Sequence, residues 1–419
     1  MINSIQKNFM NDKMSKKIMS LLNEGEDMAR FVGGCVRDSF VGRTSSDIDI
    51  ATKHRPDKII EILSSNSIRF VPTGIEHGTI SVFTDKFNFE ITTLRSDTET
   101  DGRHAKVRFT DDWELDSDRR DFTINSIYLS SEGKIFDPHK GISDLTEKKI
   151  IFIGDSRQRI NEDYLRILRF FRFNAYYSGD HGGKENFLSS EALEACEELK
   201  FNLIKLSPDR VQNEFFKILL APRSKVVIDA MLRIGILDVI FSSKTDCLVF
   251  YRMVDIDLVN ILTPNPILRL VSLVFMHNIP PDQMHMFNFS NKQKEKIKFL
   301  TNKNHIISLN ASEKELRKLL YLNGKENCRD IIRFCWSKDL NILNDIKWKT
   351  LLAIIHAWER PVFPLVGSDV MSCDVEEGPI LGEILKDLEN SWILSDFNKD
   401  RVLLLDDLKQ LVKDKTNLI

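Results

Sequence analysis

VGGCVRDSFVGRTSSDIDIAT, Val32 to Thr52, is the stretch that decides the fold. Side chains alternate between the faces of a strand, so in DIDIA the carboxylates of Asp47 and Asp49 point one way and Ile48 and Ile50 the other. Burial of the two isoleucines fixes the strand and holds two like charges side by side, an arrangement that repels itself unless a cation sits between them. The result is a rigid oxygen site suited to Mg²⁺. Such a site can bridge two metals, one activating an attacking hydroxyl and one steadying a departing pyrophosphate. A DxD pair alone is common in surface turns, so its neighbours matter. In KFNFEITTL, Phe87, Phe89 and Ile91 share one face and Asn88, Glu90 and Thr92 the other. Glu90 is therefore a candidate third catalytic carboxylate, with a plain exposed strand face as the alternative. Gly33 and Gly34 follow a strand and precede a helix carrying Arg37 and Asp38. Glycines there let backbone N–H groups approach phosphate oxygens, and the helix N-terminus and Arg37 add positive charge. A lone Gly-Gly is only a turn; beside a DxD on the next strand it reads as a triphosphate cradle next to a metal site.

Outward from this stretch the texture changes once. From about Ala29 to Gly154, short runs rich in β-branched and aromatic residues are broken by turn residues: ARFV, DIDIA, RFVPTG, GTISVFT, FNFEITTL, INSIYLS and KIFDP. Val36–Val41 and Pro56–Ser64 read as helices between them. From about Gln158 onward apolar residues recur at three- and four-residue spacing, as in EDYLRILRFFRFNAYY, PDRVQNEFFKILL, KVVIDAMLRIGI and EKELRKLLYL. The fold class is α+β, an α/β head followed by an all-α remainder. Loops are expected at Tyr177–Lys184 and Thr263–Pro266. The chain of 419 residues is too long for one core and should divide into about two to four domains. Its net charge of −3 means that any phosphate-binding surface is a local patch. The lysines of KQKEKIK, Lys292–Lys298, read either as a phosphate contact or as a solvated helix face. Six scattered cysteines without CxxC or zinc spacing point to free thiols in a reducing cytoplasm. The N-terminal stretch lacks the apolar core of a signal peptide. The greasiest run, Ile267 to Met276, is interrupted by Arg269 and falls short of the roughly 20 residues a membrane span needs. A cytoplasmic protein with no membrane association is expected.

A second constellation is NEDYLRILRFFRF, Asn161 to Phe173. The pattern predicts one helix capped by Asn161, with Glu162 and Asp163 in its first turn. Asp163, Arg166, Arg169 and Arg172 recur every third residue and form a slowly rotating stripe. A surface ion-pair ladder would explain the spacing but not the aromatic surroundings. Cytosine presents an amino donor beside a ring acceptor on its pairing edge, and adenine does the same. An acid–base pair such as Asp163 and Arg166 offers the complement. Uracil and guanine place a carbonyl where the amine would be, and a mismatch that strands a buried polar group can discriminate by roughly 10⁴-fold or more. Arg169 and Arg172, further along, are placed to reach a triphosphate.

GGxVRD…DxD, RRDFTIN, DPxxGxxDL and EDxxRxLRxxRF stand here in that order, at Gly33–Asp38 with Asp47 and Asp49, Arg119–Asn125, Asp137–Leu145 and Glu162–Phe173. Together they resemble the class II tRNA nucleotidyltransferases and bacterial poly(A) polymerases. PTGIEHGT and EITTLRSDTETDGR are similar to the bacterial CCA-adding branch, and the likeness extends more weakly to SPDRVQNEFFKILLAP. The resemblance implies an elongated protein. Its catalytic nucleotidyltransferase head, with a mixed β-sheet and flanking helices, would span 1–154. A helical neck for base recognition would span 155–225, a helical body 226–300 and a tRNA-binding tail 301–419. It implies template-independent, Mg²⁺-dependent addition of CCA to the 3′ end of tRNA from CTP and ATP, with no obligate protein partner. Gly34 and Arg37 would then contact the nucleotide phosphates, with Gly33 and Asp38 beside them in the nucleotide site, and Asp47 and Asp49 would bind metal. Arg119, Arg120, Asp121 and Asn125 would contact sugar and phosphates. Asp163 and Arg166 would read the base, with Arg169 and Arg172 assisting. DPHKGISDL departs from the pattern by carrying the single Gly141, and the neck motif starts with Asp209 where the family commonly has Glu. No histidine–aspartate metal-hydrolase signature follows. His77 fits the pattern as a structural residue of a tight loop, and His104 takes no assignment. Pro379 after Gly378 marks the start of a late helix, either an RNA-facing helix end or plain packing. Two alternatives stay open: a poly(A) polymerase using only ATP, and an RNA-binding protein with a vestigial site. The near-neutral charge and lack of a basic C-terminal extension favour CCA addition over the former.

Overall fold

A computed structural model describes residues 8–99, 106–179, 188–243, 246–275, 281–302, 307–339 and 341–416. His104, the tip of EITTLRSDTETDGR and most of the expected loop at Tyr177–Lys184 lie outside them.

The DIDIA segment forms the middle of a seven-stranded mixed sheet. In chain order its strands are β1 (Ala29–Val32), β2 (Asp47–Thr52), β3 (Val71–Gly74), β4 (Thr79–Phe83) and β5 (Asn88–Thr93), then β8 (Tyr128–Leu129) and β9 (Ile135–Phe136). The spatial order is β3-β4-β5-β2-β1-β8-β9. β2 runs antiparallel to β1 and parallel to β5. Helices α1 (Asn8–Asn11), α2 (Lys13–Leu22), α3 (Gly34–Phe40) and α4 (Pro56–Ser65) belong to the same layer pair. One sheet face is apolar: Ile48, Ile50, Phe89 and Ile91 are fully buried in a core with Ile18 and Leu22 of α2 and Ile59 and Leu63 of α4. Each such burial contributes about 1.5–3 kcal/mol. The opposite face is thereby left to Asp47 and Asp49.

The remaining strands, β6 (Arg95–Glu99) and β7 (Lys106–Phe109), pair as a separate two-stranded sheet. The sequence gives no sign of β6, because RSDTE has no apolar alternation. INSIYLS is a strand only at Tyr128–Leu129, since Thr123–Asn125 closes a 3₁₀ turn. In DPHKGISDL the Asp137 carboxylate accepts the N–H groups of Gly141 (2.7 Å) and Ile142 (2.9 Å), and Lys140 takes the left-handed φ of 58°. This launches α6 (Gly141–Thr146), which follows α5 (Trp113–Asp118) in the chain. Gly141 is dictated by contact, because a Cβ there would sit 2.2 Å from the Thr123 carbonyl oxygen.

The expected single helix from Asn161 is two. α7 (Ser156–Glu162) ends where Asp163 turns to φ −154°, and α8 begins at Leu165 and runs to Tyr177. Asn161 lies inside the last turn of α7 and caps nothing; Asp155 caps α7, and the Asp163 carboxylate accepts the Leu165 N–H at 3.1 Å. α9 (Ser190–Leu199), a 3₁₀ turn at Lys200–Lys205 and α10 (Pro208–Leu220) follow.

The chain forms two compact units, residues 1–245 with 282–288, and residues 246–281 with 289–419. The second is helical in its described residues. Arg269, which interrupts the greasy run, is buried there with its Nε 3.0 Å from Asp257. Asp257 also binds Arg333, and Lys296 of the lysine cluster lies 2.7 Å from buried Asp330. That cluster is therefore partly structural, with Lys292, Lys294 and Lys298 left exposed. Pro379 opens the helix Pro379–Leu394 after Gly378, as its position predicts, and Ile384, Leu388 and Trp392 pack with Leu404 and Leu408. Among the described residues no helix is long and apolar enough to cross a membrane.

Gly141→Ala should destabilise the sheet-bearing unit by about 1–3 kcal/mol through overpacking against the Thr123 carbonyl. Urea denaturation would check this, and an unshifted midpoint would mean that the turn yields freely.

Candidate active site

β2 sets the acidic half of the site. Its parallel register with β5 places Glu90 beside Asp49 and Asn88 beside Asp47, and the Asn88 amide donates to Asp47 at 3.0 Å. Burial, and then the neighbouring charge of Glu90, push the Asp49 carboxyl up to about 6, against the pull of Arg120. A carboxyl so placed gains most from a cation. Asp47 and Asp49 line a cleft of about 640 Å³, whereas Glu90 is exposed and outside its lining. Among the described residues no group of three or more His, Cys, Asp or Glu side chains is arranged to hold a metal. Two carboxylates completed by substrate phosphates and water fit a Mg²⁺-like ion, which seldom uses an all-protein cage.

Gly33 links this half to the rest. Its φ of 71° is left-handed, and a Cβ would sit 3.3 Å from Asp49 Oδ2 and 3.7 Å from Arg120 Nη1. One turn into α3, Arg37 is buried, donating to Asn125 Oδ1 at 2.5 Å and Asp38 Oδ1 at 2.9 Å. Its guanidinium lies over Tyr177, 4.3 Å from the ring centre. Asp38, read from sequence as a nucleotide-binding residue, also accepts the Tyr177 hydroxyl at 2.7 Å and so braces Arg37 from the edge of the cleft.

RRDFTIN ties the head to α8. Asp121 accepts the Asn125 amide at 2.9 Å through Oδ1 and Arg169 Nε at 2.6 Å through Oδ2. Burial alone would raise its carboxyl, but Arg169 and Asn125 outweigh that and hold it well below the usual range. Arg119 and Arg120 share the buried carboxylate of Asp116. Burial again opposes ionisation there and the two arginines prevail.

The base-reading candidates lie in the same cleft, but each is held by a partner of its own. Asp163 Oδ2 accepts from Arg210 at 2.7 Å. Arg166 Nη1 donates to Glu162 at 2.5 Å and to the Arg159 carbonyl at 2.7 Å, and its Nη2 to the Arg119 carbonyl at 3.2 Å. The acceptor and donor expected to face a base are thus separately anchored, and the break at Asp163 removes the acceptor from the helical stripe. Arg172 lies against Phe173, 4.0 Å from the ring centre, and donates to Glu214 at 2.5 Å.

Arg210, Glu214 and Lys217 of α10 were not foreseen as part of the site, and neither was Arg95. The first three stand four and then three residues apart on one helical face, a spacing that marks them once α10 is known to pack on α8. Arg37, Asp38, Asp47, Asp49, Arg119, Arg120, Asp121, Asn125, Asp163, Arg166, Arg169, Arg172, Gly33 and Gly34 all line the one cleft. Its lining carries nine cations against five carboxylates, so the local surface is positive where the whole chain is not.

A mixed sheet presenting two carboxylates beside a glycine turn, facing a cation-rich cleft wide enough for a nucleoside triphosphate, defines a nucleotidyltransferase. Residues 29–151 match the family described as "Poly A polymerase head domain", and residues 187–247 match "Probable RNA and SrmB- binding site of polymerase A". The mouse (Mus musculus) protein named CCA tRNA nucleotidyltransferase 1, mitochondrial, is 32% identical over 403 residues, covering 94% of this chain and 89% of its own. A CCA-adding enzyme of Streptococcus pyogenes serotype M2 is 37% identical over 217 residues, 51% of each chain. The crystal structure of the Bacillus stearothermophilus CCA-adding enzyme in complex with CTP superposes with a TM-score of 0.67 at 20% identity, covering 96% of this chain and 98% of that one; at that identity the likeness speaks to the fold. The chain belongs to the family of CCA tRNA nucleotidyltransferases.

If Asp49 is a metal ligand, protons and a divalent cation compete for its carboxylate, which burial and Glu90 push up to about 6. Metal affinity should therefore be flat above about pH 7 and fall up to about tenfold per unit below pH 6, the ionised form being lost as pH drops. Mn²⁺ titration followed by EPR would check this. A constant affinity down to about pH 5 would contradict the placement of Asp49.

Proposed function

We propose that this protein adds C, C and A, without a template, to the 3′ end of tRNA from CTP and ATP. The observation that carries this is the single cleft joining the Asp47–Asp49 edge to Asp163 and Arg166, in a chain 32% identical over nearly its whole length to a named CCA tRNA nucleotidyltransferase. In this assignment Asp47 and Asp49 hold Mg²⁺, which when bound acidifies the attacking hydroxyl and neutralises the departing pyrophosphate. The RNA 3′ oxygen bonds to the α-phosphorus as the bond to pyrophosphate breaks. Gly33 and Gly34 let the backbone meet the phosphates, and Arg37, Arg119 and Arg120 oppose their charge. Arg169 and Arg172 assist at the phosphates, while Asp121 and Asn125 keep Arg169 and Arg37 aimed. The Asp163 carboxylate accepts the exocyclic amine of C or A, and Arg166 donates to the adjacent ring nitrogen. Glu90 acts by charge on Asp49 rather than as a ligand.

We read residues 1–154 as catalytic head, 155–225 as neck, 226–300 as body and 301–419 as tail. A reducing compartment such as the cytoplasm fits the six free cysteines, five of them buried. Poly(A) addition is the alternative that the head-domain family leaves open. Incubating the protein with tRNA lacking CCA and each NTP separately distinguishes them; A tails without use of CTP would reject CCA addition.

Asp49→Ala should abolish incorporation while leaving tRNA binding within about twofold, as a loss confined to metal binding requires. Undiminished turnover would discredit the metal assignment. Arg166→Ala should admit UTP and GTP, narrowing the preference for C and A by at least about 100-fold. Retained selectivity in single-nucleotide assays would assign base reading to another group.

A further inference from the structure

Asp116 takes no part in the roles assigned so far, yet it is the most heavily bonded carboxylate beside the cleft. It stands near the end of α5, three residues before Arg119, and is 1% exposed. Its Oδ1 accepts Arg119 Nε at 2.8 Å and the backbone N–H of Arg95 at 3.3 Å. Its Oδ2 accepts Arg120 Nη2 at 3.1 Å and the Tyr128 hydroxyl at 2.7 Å. The hydroxyl oxygen in turn accepts Arg120 Nε at 3.0 Å, and Arg120 Nη1 rests 3.4 Å from the Asn125 carbonyl. Arg120 is thus gripped along one edge, with the other edge turned toward Gly33 and Asp49.

We propose that Asp116 is a positioning residue that fixes Arg119 and Arg120 so that their remaining N–H groups meet the triphosphate, an assignment that rests on the cleft's being the triphosphate site. The physical ground is preorganisation. A long arginine side chain must otherwise be immobilised each time ligand binds, and a guanidinium already locked on one edge loses little freedom on binding at the other. Tyr128 contributes by bridging the same carboxylate and the same arginine, and its ring packs edge-on against Trp113 at 5.6 Å.

Positioning and plain electrostatics predict opposite signs. Asp116→Asn removes a negative charge close to a bound polyanion, so Coulomb's law alone would tighten CTP binding. Loss of orientation weakens it. In the full-length protein with Mg²⁺, Asp116→Asn should raise the KM for CTP by about tenfold or more, with the affinity for cytidine, which lacks phosphates, and the KM for tRNA within about twofold. CTP binding that is unchanged or tighter, or a parallel loss for CTP and cytidine, would overturn the proposal. If the Asn variant does not fold by circular dichroism, Tyr128→Phe carries the test, since it keeps all three charges and removes only the bridge. A severalfold higher KM for CTP with cytidine unaffected is expected, and an unchanged KM overturns the proposal. Wild-type protein that binds CTP no better than cytidine would instead sink the reading of the cleft itself.

Discussion

Asn125 is the joint on which the cleft depends. Its side-chain oxygen accepts from Arg37, its amide donates to Asp121, and the second oxygen of Asp121 holds Arg169. One buried amide therefore couples the glycine-turn helix, the RRDFTIN loop and α8. Few side chains can do this. A carboxylate at the same position would accept from Arg37 and repel Asp121, and an aliphatic residue would take one buried hydrogen-bond partner from each, leaving Arg37 to Asp38 and Asp121 to Arg169 with no link between them. The 3₁₀ turn at Thr123–Asn125 presents that amide, and the close approach of Gly141 to the Thr123 carbonyl braces the turn from behind. Backbone geometry at one loop thus governs where two arginines from distant parts of the chain can stand.

The same network explains how an acidic protein can offer a basic cleft. Asp116, Asp121, Glu162, Asp163 and Glu214 are each engaged by one or more arginines. These partners make burial of the guanidiniums tolerable and restrict their rotamers, while the surplus of cations leaves positive charge for a polyanion. Aromatic faces do the rest: Arg37 lies over Tyr177 and Arg172 over Phe173, where the ring quadrupole replaces lost hydration. Attraction for phosphate is therefore local and directional and does not follow from the net charge of −3.

Much of this was legible in the sequence because it rests on short-range periodicity. The alternation in DIDIA assigns Ile48 and Ile50 to the core and Asp47 and Asp49 to the cleft with no tertiary knowledge, and FNFEITTL places Glu90 on the matching face. The break at Asp163 was not legible. NEDYLRIL satisfies helical spacing throughout, and only the claims of Arg210 and the Leu165 N–H on the same carboxylate mark the turn. The helix PDRVQNEFFKILL was legible, but the part its polar face plays in the site was hidden for a different reason: Arg210, Glu214 and Lys217 look like an ordinary solvated face until α8 is packed against them. β6 was missed because its residues are mostly charged and its pairing with β7 is satisfied by backbone rather than by an apolar face.

The break at Asp163 also bears on selectivity. In one continuous helix Asp163 and Arg166 would sit at i,i+3 and could satisfy each other, so an incoming base would have to compete with an existing ion pair. The turn separates them, with Arg210 holding one and Glu162 the other. In the proposed assignment a swing of either group to accommodate a base whose donors and acceptors are reversed would break its half-buried ion pair. Rejection of U and G then follows from the stiffness of the frame as much as from the identity of the two residues. In that assignment Arg210 and Glu162, which need touch no base, are as much a part of base selection as the pair they hold.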